Sequence, residues 1–146
     1  MIIRPAIIND VNSLVALFEG YRNFYKQIAA PEKARLFLTN RLTQKDSVIY
    51  VAEIGSVLVG FVQLYPLFSS TRMEPMWLLN DLFVDEDYRS RGIAVQLIEA
   101  AKVHCKQTKA CGLLLETAKT NIIGNQLYPK TGFELDTDHN YYWWQG

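Results

Sequence analysis

The stretch from Leu78 to Leu97 constrains the fold more than any other part of the chain. Its first part, Leu78–Val84, is apolar apart from Asn80 and Asp81, which predicts a largely buried strand. After a polar break at Asp85–Asp87, apolar residues recur at helical spacing and form one apolar face. These residues are Ala94, Leu97, Ile98, Ala101 and Cys105. The stretch therefore predicts a strand, a tight turn and an amphipathic helix.

The turn between this strand and helix reads Arg89-Ser90-Arg91-Gly92-Ile93-Ala94. The first amides of a helix have no partner within the helix, and the helix dipole favours negative charge there. The two arginines add positive charge, and the glycine lets a phosphate approach the backbone. The turn therefore predicts an anion site. Other phosphate-binding loops fit less well, because the chain has no Gly-x-x-x-x-Gly-Lys-Ser/Thr and no Gly-x-Gly-x-x-Gly after a predicted strand.

The charge balance and the termini narrow the range of partners. Fifteen basic and fifteen acidic residues cancel, which argues against bulk binding to nucleic acid or to an anionic membrane. The apolar runs are too short to span a bilayer, and the N-terminus does not resemble a signal peptide. We therefore expect a cytoplasmic protein. Cys105 and Cys111 match neither a zinc pattern nor a disulfide framework, so we expect reduced thiols and no metal.

The whole pattern predicts a single domain of mixed α/β class over residues 1–146. The predicted order is a strand, two helices, three strands, a helix, a strand, a helix and a final strand. Within it, Gly55-Ser56 marks a hairpin turn before a strand at Val57–Tyr65, which Pro66 is expected to end. The aromatic run Tyr141–Trp144 predicts the last strand. One edge strand does not easily bury so many large rings. We therefore predict a homodimer with this strand or its neighbours at the interface.

The end of the first predicted helix is unusually aromatic. Phe24 and Tyr25 come late in this helix, where it is expected to run out over an edge of the sheet. They are candidates to line a substrate site. The alternative is a wide apolar face that packs on the sheet, and we favour that interpretation for Tyr21.

The turn motif Arg89-x-x-Gly92-x-Ala94 resembles the acetyl-CoA-binding motif of the GCN5-related N-acetyltransferases, Gln/Arg-x-x-Gly-x-Gly/Ala. The later stretch Asn121-x-x-Gly124-x-x-Leu127-Tyr128-x-Lys130-x-Gly132-Phe133 resembles a second motif of that family. The stretch Asn80–Glu86 is most similar to the branch that includes the yeast Hpa2-type acetyltransferases and, more distantly, the diamine acetyltransferases. The resemblance covers most of the chain. It implies a central, mixed and mostly antiparallel sheet with helices on both faces.

Three positions depart from these family motifs. Ser90 stands where glycine is common, Gly124 where alanine is common, and Pro129 where a helix former is usual. A proline restricts the residue before it, so Pro129 leaves the direction of the Tyr128 side chain open.

The resemblance implies acetyl-CoA as the acetyl donor and a set of residues that bind it. The implied cofactor-binding residues are Leu82, Phe83, Val84, Arg89, Ser90, Arg91, Gly92, Ile93, Ala94 and Asn121. Backbone groups of Leu82 and Val84 would pair with the pantetheine arm as an added strand would. The amides of the turn would hold the pyrophosphate, and Asn121 would bond the pantetheine amide region. Tyr128 would stand near the thioester sulfur.

The chemistry of amide formation calls for an acid, a base and an oxyanion donor whatever the family. A phenol with a pKa of about 10 is protonated at neutral pH and can donate to a leaving thiolate, so Tyr128, which the resemblance places near the sulfur, is the candidate acid. A free backbone amide on the central strand could stabilise the developing oxyanion. The incoming ammonium must lose a proton, and Asp81 and Glu116 are the candidate bases. The alternative is that each carboxylate only pairs with an arginine or a backbone donor.

We therefore predict an N-acetyltransferase that transfers the acetyl group by direct attack of a primary amine. The expected acceptor is a small molecule of polyamine or amino acid type. The alternatives are a protein or peptide N-acetyltransferase and a non-catalytic acyl-CoA sensor. Tyr128 weighs against the sensor, because binding alone does not need a proton donor there. The spacing of Cys105, Cys111 and the two histidines does not require a covalent route.

Overall fold

The computed structural model describes residues 1 to 146, with five strands and four α-helices. The strands are β1 (Ile2–Pro5), β2 (Val48–Ile54), β3 (Val57–Ser69), β4 (Glu74–Val84) and β5 (Leu113–Leu115). The helices are α1 (Val11–Phe24), α2 (Pro31–Gln44), α3 (Ile93–Gln107) and α4 (Ile122–Lys130). Residues 1–116 and 117–146 form two compact units, which are described separately. A single domain over residues 1–146 stays a prediction.

The strands form one sheet in the order β1-β2-β3-β4-β5. The first three neighbouring pairs are antiparallel, and the β4–β5 pair is parallel. The hairpin between β2 and β3 turns at Gly55 and Ser56, both of which have positive φ. The predicted mixed and mostly antiparallel sheet is therefore confirmed.

Helices cover both faces of the sheet in the first unit. Phe61 on β3 is fully buried in a cluster with Leu14 of α1 and Leu38 of α2. Its neighbour Gly60 points to the opposite face, since side chains alternate along a strand. A Cβ atom at Gly60 would lie 3.4 Å from Leu97 of α3. We call the side of the sheet that packs on α1 and α2 the α1 face, and the side that packs on α3 the α3 face.

The prediction that Pro66 ends its strand is wrong. β3 continues to Ser69, and Pro66 lies opposite Trp77 in β4. The pairing of β2 with β3 reaches only Leu64. Past that point β3 has a neighbour on one side only, so a residue that lacks an N–H group is tolerated.

The predicted strand at Tyr141–Trp144 is also wrong. These residues have no regular secondary structure, and the sheet consists of β1 to β5. The side chains of Tyr142 and Trp143 are 91% and 90% exposed. Strand preference depends on packing against neighbouring strands, and this aromatic run has no paired neighbour.

Candidate active site

The last residues of β4 have an edge without a strand partner. β5 pairs with β4 only from Trp77 to Leu79, so residues 80–84 have β3 on one side and no strand on the other. An edge of this kind presents unpaired backbone groups, to which an extended chain can add as a further strand. β4 therefore carries an open slot directly after the point where β5 ends.

The pairing with β3 determines which backbone groups face this slot. The Asp85 amide donates to the Val59 carbonyl at 2.9 Å, which makes these two residues a hydrogen-bonded pair. Bonded and non-bonded pairs alternate along antiparallel strands, so the peptide groups of Leu82 and Val84 face away from β3. Those of Phe83 face β3. This geometry supports the expected use of Leu82 and Val84 as an edge for an added strand.

The Phe83 side chain belongs to the core and not to the slot. It packs beneath α1, where a Cβ atom at Gly20 would lie 2.8 Å from the tip of the Phe83 ring. The Arg89 guanidinium lies over the same ring, 5.5 Å from its centroid. Phe83 thus links the slot to α1 and to the following turn.

A β-bulge in β4 lies immediately before the slot. Gln63 is opposite Asp81, but Leu64 is opposite Leu79, so Asn80 is an extra residue in β4. A bulge interrupts the ladder and redirects side chains. Here it places Leu79 and Asp81 on opposite faces of the sheet, with Asp81 on the α1 face.

The Asp81 carboxyl group is buried and has no cation as a partner. Only 4% of the residue is exposed. Burial raises the pKa of Asp81, and hydrogen bonds from Tyr21 and Asn80 partly offset that rise. The Asn80 amide donates to the carboxylate at 3.0 Å. A buried carboxylate with a raised pKa holds a proton more readily than an exposed one, and no arginine pairs with Asp81.

Three aromatic side chains at the end of α1, those of Tyr21, Phe24 and Tyr25, lie beside Asp81. The rings of Tyr21 and Phe24 each lie 5.1 Å from that of Tyr25, edge to face. Phe24 and Tyr25 keep 52% and 40% of their surface exposed. Burial raises the pKa of the Tyr25 hydroxyl, and the charges of Asp81 and Glu116 raise it further. The structure therefore brings Phe24, Tyr25 and both candidate bases into one region of the first unit.

Glu116 enters this region from β5. Leu115 is opposite Leu79, and Glu116 follows directly at the end of the strand. Unlike Asp81, Glu116 is exposed to solvent. The two candidate bases thus have different environments.

Sequence reasoning missed three polar side chains around Asp81. Gln63 is fully buried opposite Asp81 and donates to Ser47 Oγ at 3.0 Å, but its Oε1 has no partner. Burial, and then the charge of Asp81, raise the pKa of Tyr65 to about 12. Tyr21 was assigned to packing alone, yet it also bonds Asp81. The available signal was the alternation of Gln63 and Tyr65 on one face of β3, and the spacing of Tyr21 and Tyr25 on one face of α1.

The turn before α3 has the backbone form that an anion site needs. Ser90 and Gly92 have φ angles of +61° and +75°, and a Cβ atom at Gly92 would meet nothing within 4 Å. The first helical bond runs from the Gln96 amide to the Gly92 carbonyl. The amides of the first turn therefore lack helical partners, and no side chain caps them. No acidic residue lies in that turn.

Both arginines of the turn are tethered to nearby carbonyl groups. Arg89 Nε donates to the Val84 carbonyl at 3.0 Å, and Arg91 donates to the Asp87 carbonyl at 2.9 Å. These bonds stabilise the turn and hold two positive charges beside it. Because Arg89 already uses the Val84 carbonyl, an added strand would have to share that oxygen.

The second compact unit contains Asn121 and Tyr128. Asn121 caps α4, because its side-chain oxygen accepts from the Gly124 amide at 3.1 Å, and its side-chain amide donates to Thr117 at 2.9 Å. Tyr128 is half-buried in the last turn of α4 and packs edge-on against Phe133, with ring centroids 5.9 Å apart. Pro129 is accommodated inside the last turn of α4.

The two cysteines do not form a disulfide. Cys105 is buried and Cys111 half-buried, and both are free thiols. No group of three or more His, Cys, Asp or Glu side chains is placed to hold a metal ion. None of the four α-helices has both the length and the apolar character needed to cross a membrane.

Comparison with known proteins agrees with this architecture. The model of the Acetyltransferase (GNAT) family matches residues 14–133. The uncharacterized N-acetyltransferase YhfO of Bacillus subtilis is 40% identical over 142 residues, which cover 97% of this chain and 95% of YhfO. The crystal structure of a probable acetyltransferase has a TM-score of 0.94 and 36% identity, over 99% of this chain and 97% of the other.

A more distant structure shares the fold alone. An aminoglycoside N-acetyltransferase in complex with CoA has a TM-score of 0.82 and 21% identity, over 99% of this chain and 95% of the other. The family match spans most of the chain, and YhfO matches along nearly its whole length. The protein therefore belongs to the GNAT family of acetyltransferases.

Proposed function

We propose that this acetyltransferase passes an acetyl group from acetyl-CoA directly to a primary amine on a small molecule. The observation that carries the proposal is the buried carboxyl group of Asp81, placed directly before the open slot of β4. Acetyl-CoA supplies the acetyl group as a thioester. The structural neighbour that holds CoA supports this choice of donor.

Residues of the first unit are placed to bind two parts of acetyl-CoA, its amide-containing arm and its pyrophosphate. The peptide groups of Leu82 and Val84 face the slot and would bond the amide-containing arm of CoA. The turn Arg89–Ala94, with its open Gly92 and unbonded first-turn amides, would bind the pyrophosphate. Phe83 would position this edge through its packing beneath α1.

Asp81 is the proposed base, in preference to Glu116. The acceptor arrives as an ammonium ion, which cannot attack until it loses a proton. A base works best when its pKa lies near the working pH, and burial raises the pKa of Asp81 in that direction. Glu116 is exposed to solvent and does not share this buried environment. The irregular backbone at the Asn80 bulge is the proposed source of an amide for the developing oxyanion.

Tyr128 and Asn121 have proposed roles that rest on the family motif. Tyr128 would protonate the leaving thiolate through its phenol. Asn121 would bond the arm of CoA, although its side chain already caps α4 and bonds Thr117. The proposed bond of Asn121 would therefore replace or share one of these contacts.

The experiment that tests this proposal follows the release of free CoA from acetyl-CoA over a panel of amines, with a Tyr128→Phe variant alongside. We expect release that depends on the amine and falls in the variant. A protein that binds CoA but releases none with any amine or peptide would instead be a sensor. The assignment of this protein to the Hpa2-type branch of the family stays a prediction, because the amine panel measures activity and does not test that relationship.

The variant Gly92→Glu is expected to weaken CoA binding at the turn. Glutamate adds a negative charge where the phosphate groups would lie, and a side chain at a φ angle of +75° is strained. Isothermal titration calorimetry with CoA should show at least about a tenfold loss of affinity, the size expected when an attractive charge contact becomes repulsive. Gly55→Glu is the matched control, since Gly55 also has positive φ and open space but lies in the β2–β3 hairpin. Unchanged affinity in a folded Gly92→Glu protein would refute the site.

The exposed aromatic tail supports the proposal that the protein is a homodimer. Tyr142, Trp143 and Trp144 are 85% to 91% exposed, and exposed apolar clusters of this kind mark interaction surfaces. Light scattering at micromolar concentration should give the mass of two chains, and replacing Trp143 and Trp144 with serine should give the mass of one. A single-chain mass for the unaltered protein would contradict this. The proposed cytoplasmic location rests on the sequence alone.

A further inference from the structure

Gln63 is a fully buried polar side chain that lies across the strand pair from Asp81. The two residues are directly opposite each other in the pairing of β3 with β4, so both side chains lie on the α1 face. Directly opposite residues of an antiparallel pair have Cβ atoms about 5 Å apart. The side chain of a glutamine can span that gap. Gln63 and Asp81 are therefore buried polar neighbours by register.

The two ends of the Gln63 amide have different surroundings. Its Nε2 donates to the hydroxyl oxygen of Ser47, directly before β2, at 3.0 Å. Its Oε1 is buried and has no hydrogen-bond partner. A buried acceptor that lacks a donor destabilises the fold, and a donor that reaches it removes that cost. Gln63 thus presents an unused acceptor in the strand next to Asp81.

The protonated form of Asp81 can supply the missing donor, whereas the ionised form cannot. An ionised carboxylate only accepts hydrogen bonds, but a protonated carboxyl group has one O–H donor. Tyr21 and Asn80 already donate to this carboxyl group. When Asp81 takes up a proton, its new O–H group needs an acceptor in a place that is only 4% exposed. Gln63 Oε1 is the buried acceptor opposite it.

The other titratable groups that face Asp81 come from four elements. They are Tyr21 and Tyr25 of α1, Tyr65 of β3, Glu116 after β5, and Asp46, which pairs at 2.7 Å with Arg41 of α2. Burial raises the pKa of Tyr25, and it raises that of Tyr65 to about 12, so both phenols stay neutral at neutral pH. Glu116 is the second carboxylate without a listed cation and has to be controlled in a pH titration.

We propose that Gln63 is a positioning residue for the base, and that its Oε1 accepts a hydrogen bond from the proton that Asp81 takes from the amine. This rests on the proposed acetyltransferase function and adds a residue to its proton path. One N–H bond of the ammonium breaks, and one O–H bond forms on Asp81. The electron pair stays on the nitrogen, which then attacks the thioester. The proton remains between Asp81 and Gln63 until it passes to solvent.

The test measures the pKa of Asp81 in the full chain, from the carbon-13 NMR signal of its carboxyl group. The variant Asp81→Asn assigns the signal. Gln63→Met keeps a side chain of similar length but removes the acceptor, so the protonated form loses its hydrogen bond. The pKa of Asp81 should fall by about 0.5 to 1 pH unit, the usual worth of one hydrogen bond. The fall of kcat/KM at acid pH should move by the same amount.

Ser47→Ala is the matched control, because it removes the partner of Nε2 and keeps Oε1. It also breaks the bond between Gln63 and Ser47, so a purely structural role of that bond would affect both variants alike. We expect Ser47→Ala to keep the pKa of Asp81. Repeating the titrations in a Glu116→Gln background removes the contribution of the second carboxylate.

A second measurement needs neither a variant of Gln63 nor turnover. In the unaltered protein, the nitrogen-15 signal of the Gln63 side-chain amide should titrate with the same midpoint as the Asp81 carboxyl group. A Gln63 signal that does not follow Asp81 would overturn the proposal. So would a pKa of Asp81 that stays the same or rises in folded Gln63→Met, or that falls equally in Ser47→Ala. If no amine releases CoA, the proposed function fails by itself, and the NMR titrations still decide the role of Gln63.

Discussion

Replacing Asp81 with asparagine is expected to lower kcat/KM for every amine by about 10²–10⁴-fold, the usual worth of general base catalysis. Asparagine keeps the size and the hydrogen-bonding capacity of the side chain but cannot accept the proton. Steady-state kinetics with the best amine of the panel measures the loss. Asp138→Asn, at an exposed position, is the control and should have normal kinetics.

The pH dependence separates a base from a structural carboxylate. Burial raises the pKa of Asp81, so the proton leaves only as the pH rises through that raised value. The value of kcat/KM should therefore fall as the pH is lowered through the pKa of Asp81. In Asp81→Asn this fall at acid pH should be altered. An Asp81→Asn enzyme with near-normal kcat/KM at every pH would remove Asp81 from the catalytic residues.

The same pKa shift predicts the effect of Asp81→Asn on stability. A carboxyl group whose pKa is raised on folding contributes stability below its unfolded pKa, and this contribution is lost as the pH rises through the folded value. Above the folded pKa the charge of Asp81 therefore weakens the fold. The melting temperature of Asp81→Asn should not fall below that of the unaltered protein, whereas a lower value would indicate a structural role.

Replacing Tyr128 with phenylalanine is the second change for which we expect a large loss. As the proposed acid, its hydroxyl acts only as charge develops on the leaving sulfur, so kcat should fall by about 10²–10⁴-fold. CoA affinity and KM should change little. The comparison requires conditions in which the chemical step limits turnover.

The competing explanation is that Tyr128 braces the end of α4. Its ring packs on Phe133, and its carbonyl accepts bonds from the amides of Thr131 and Phe133. Phenylalanine keeps both the ring and the carbonyl, so Tyr128→Phe should retain the melting temperature. Near-normal turnover in Tyr128→Phe would refute the acid role, and lower stability with weaker CoA binding would favour bracing.

The sequence predicted the elements whose signals are local. The strand, turn and helix around Gly92 follow from an apolar run, a polar break with a glycine, and helical spacing, and all three elements are present. Pro66 and Tyr141–Trp144 were misjudged because strand formation depends on neighbours. β3 continues through Pro66 because it has a neighbouring strand on only one side there. The tail has strand-forming residues, but no strand pairs with it.

In the candidate site, too, local features were predicted and features that depend on strand pairing were not. Asp81, Phe24, Tyr25 and Glu116 were predicted individually, and the fold brings them to one face. The spacing of Gln63 and Tyr21 indicates which face each occupies, but their contacts with Asp81 follow from the bulge in β4 and from the register between β3 and β4. Neither feature has a signal in a single sequence, since a bulge depends on which residues pair across two strands.

The most direct test of the central claim uses acetyl-CoA with an isotope-labelled acetyl group and an excess of the best amine of the panel. Mass spectrometry of the reaction mixture would locate the label. Direct transfer predicts labelled N-acetyl amine in a one-to-one ratio with released CoA, with no label on the protein at any time. Label that appears only in free acetate, or first on a protein side chain, would contradict direct transfer to an amine.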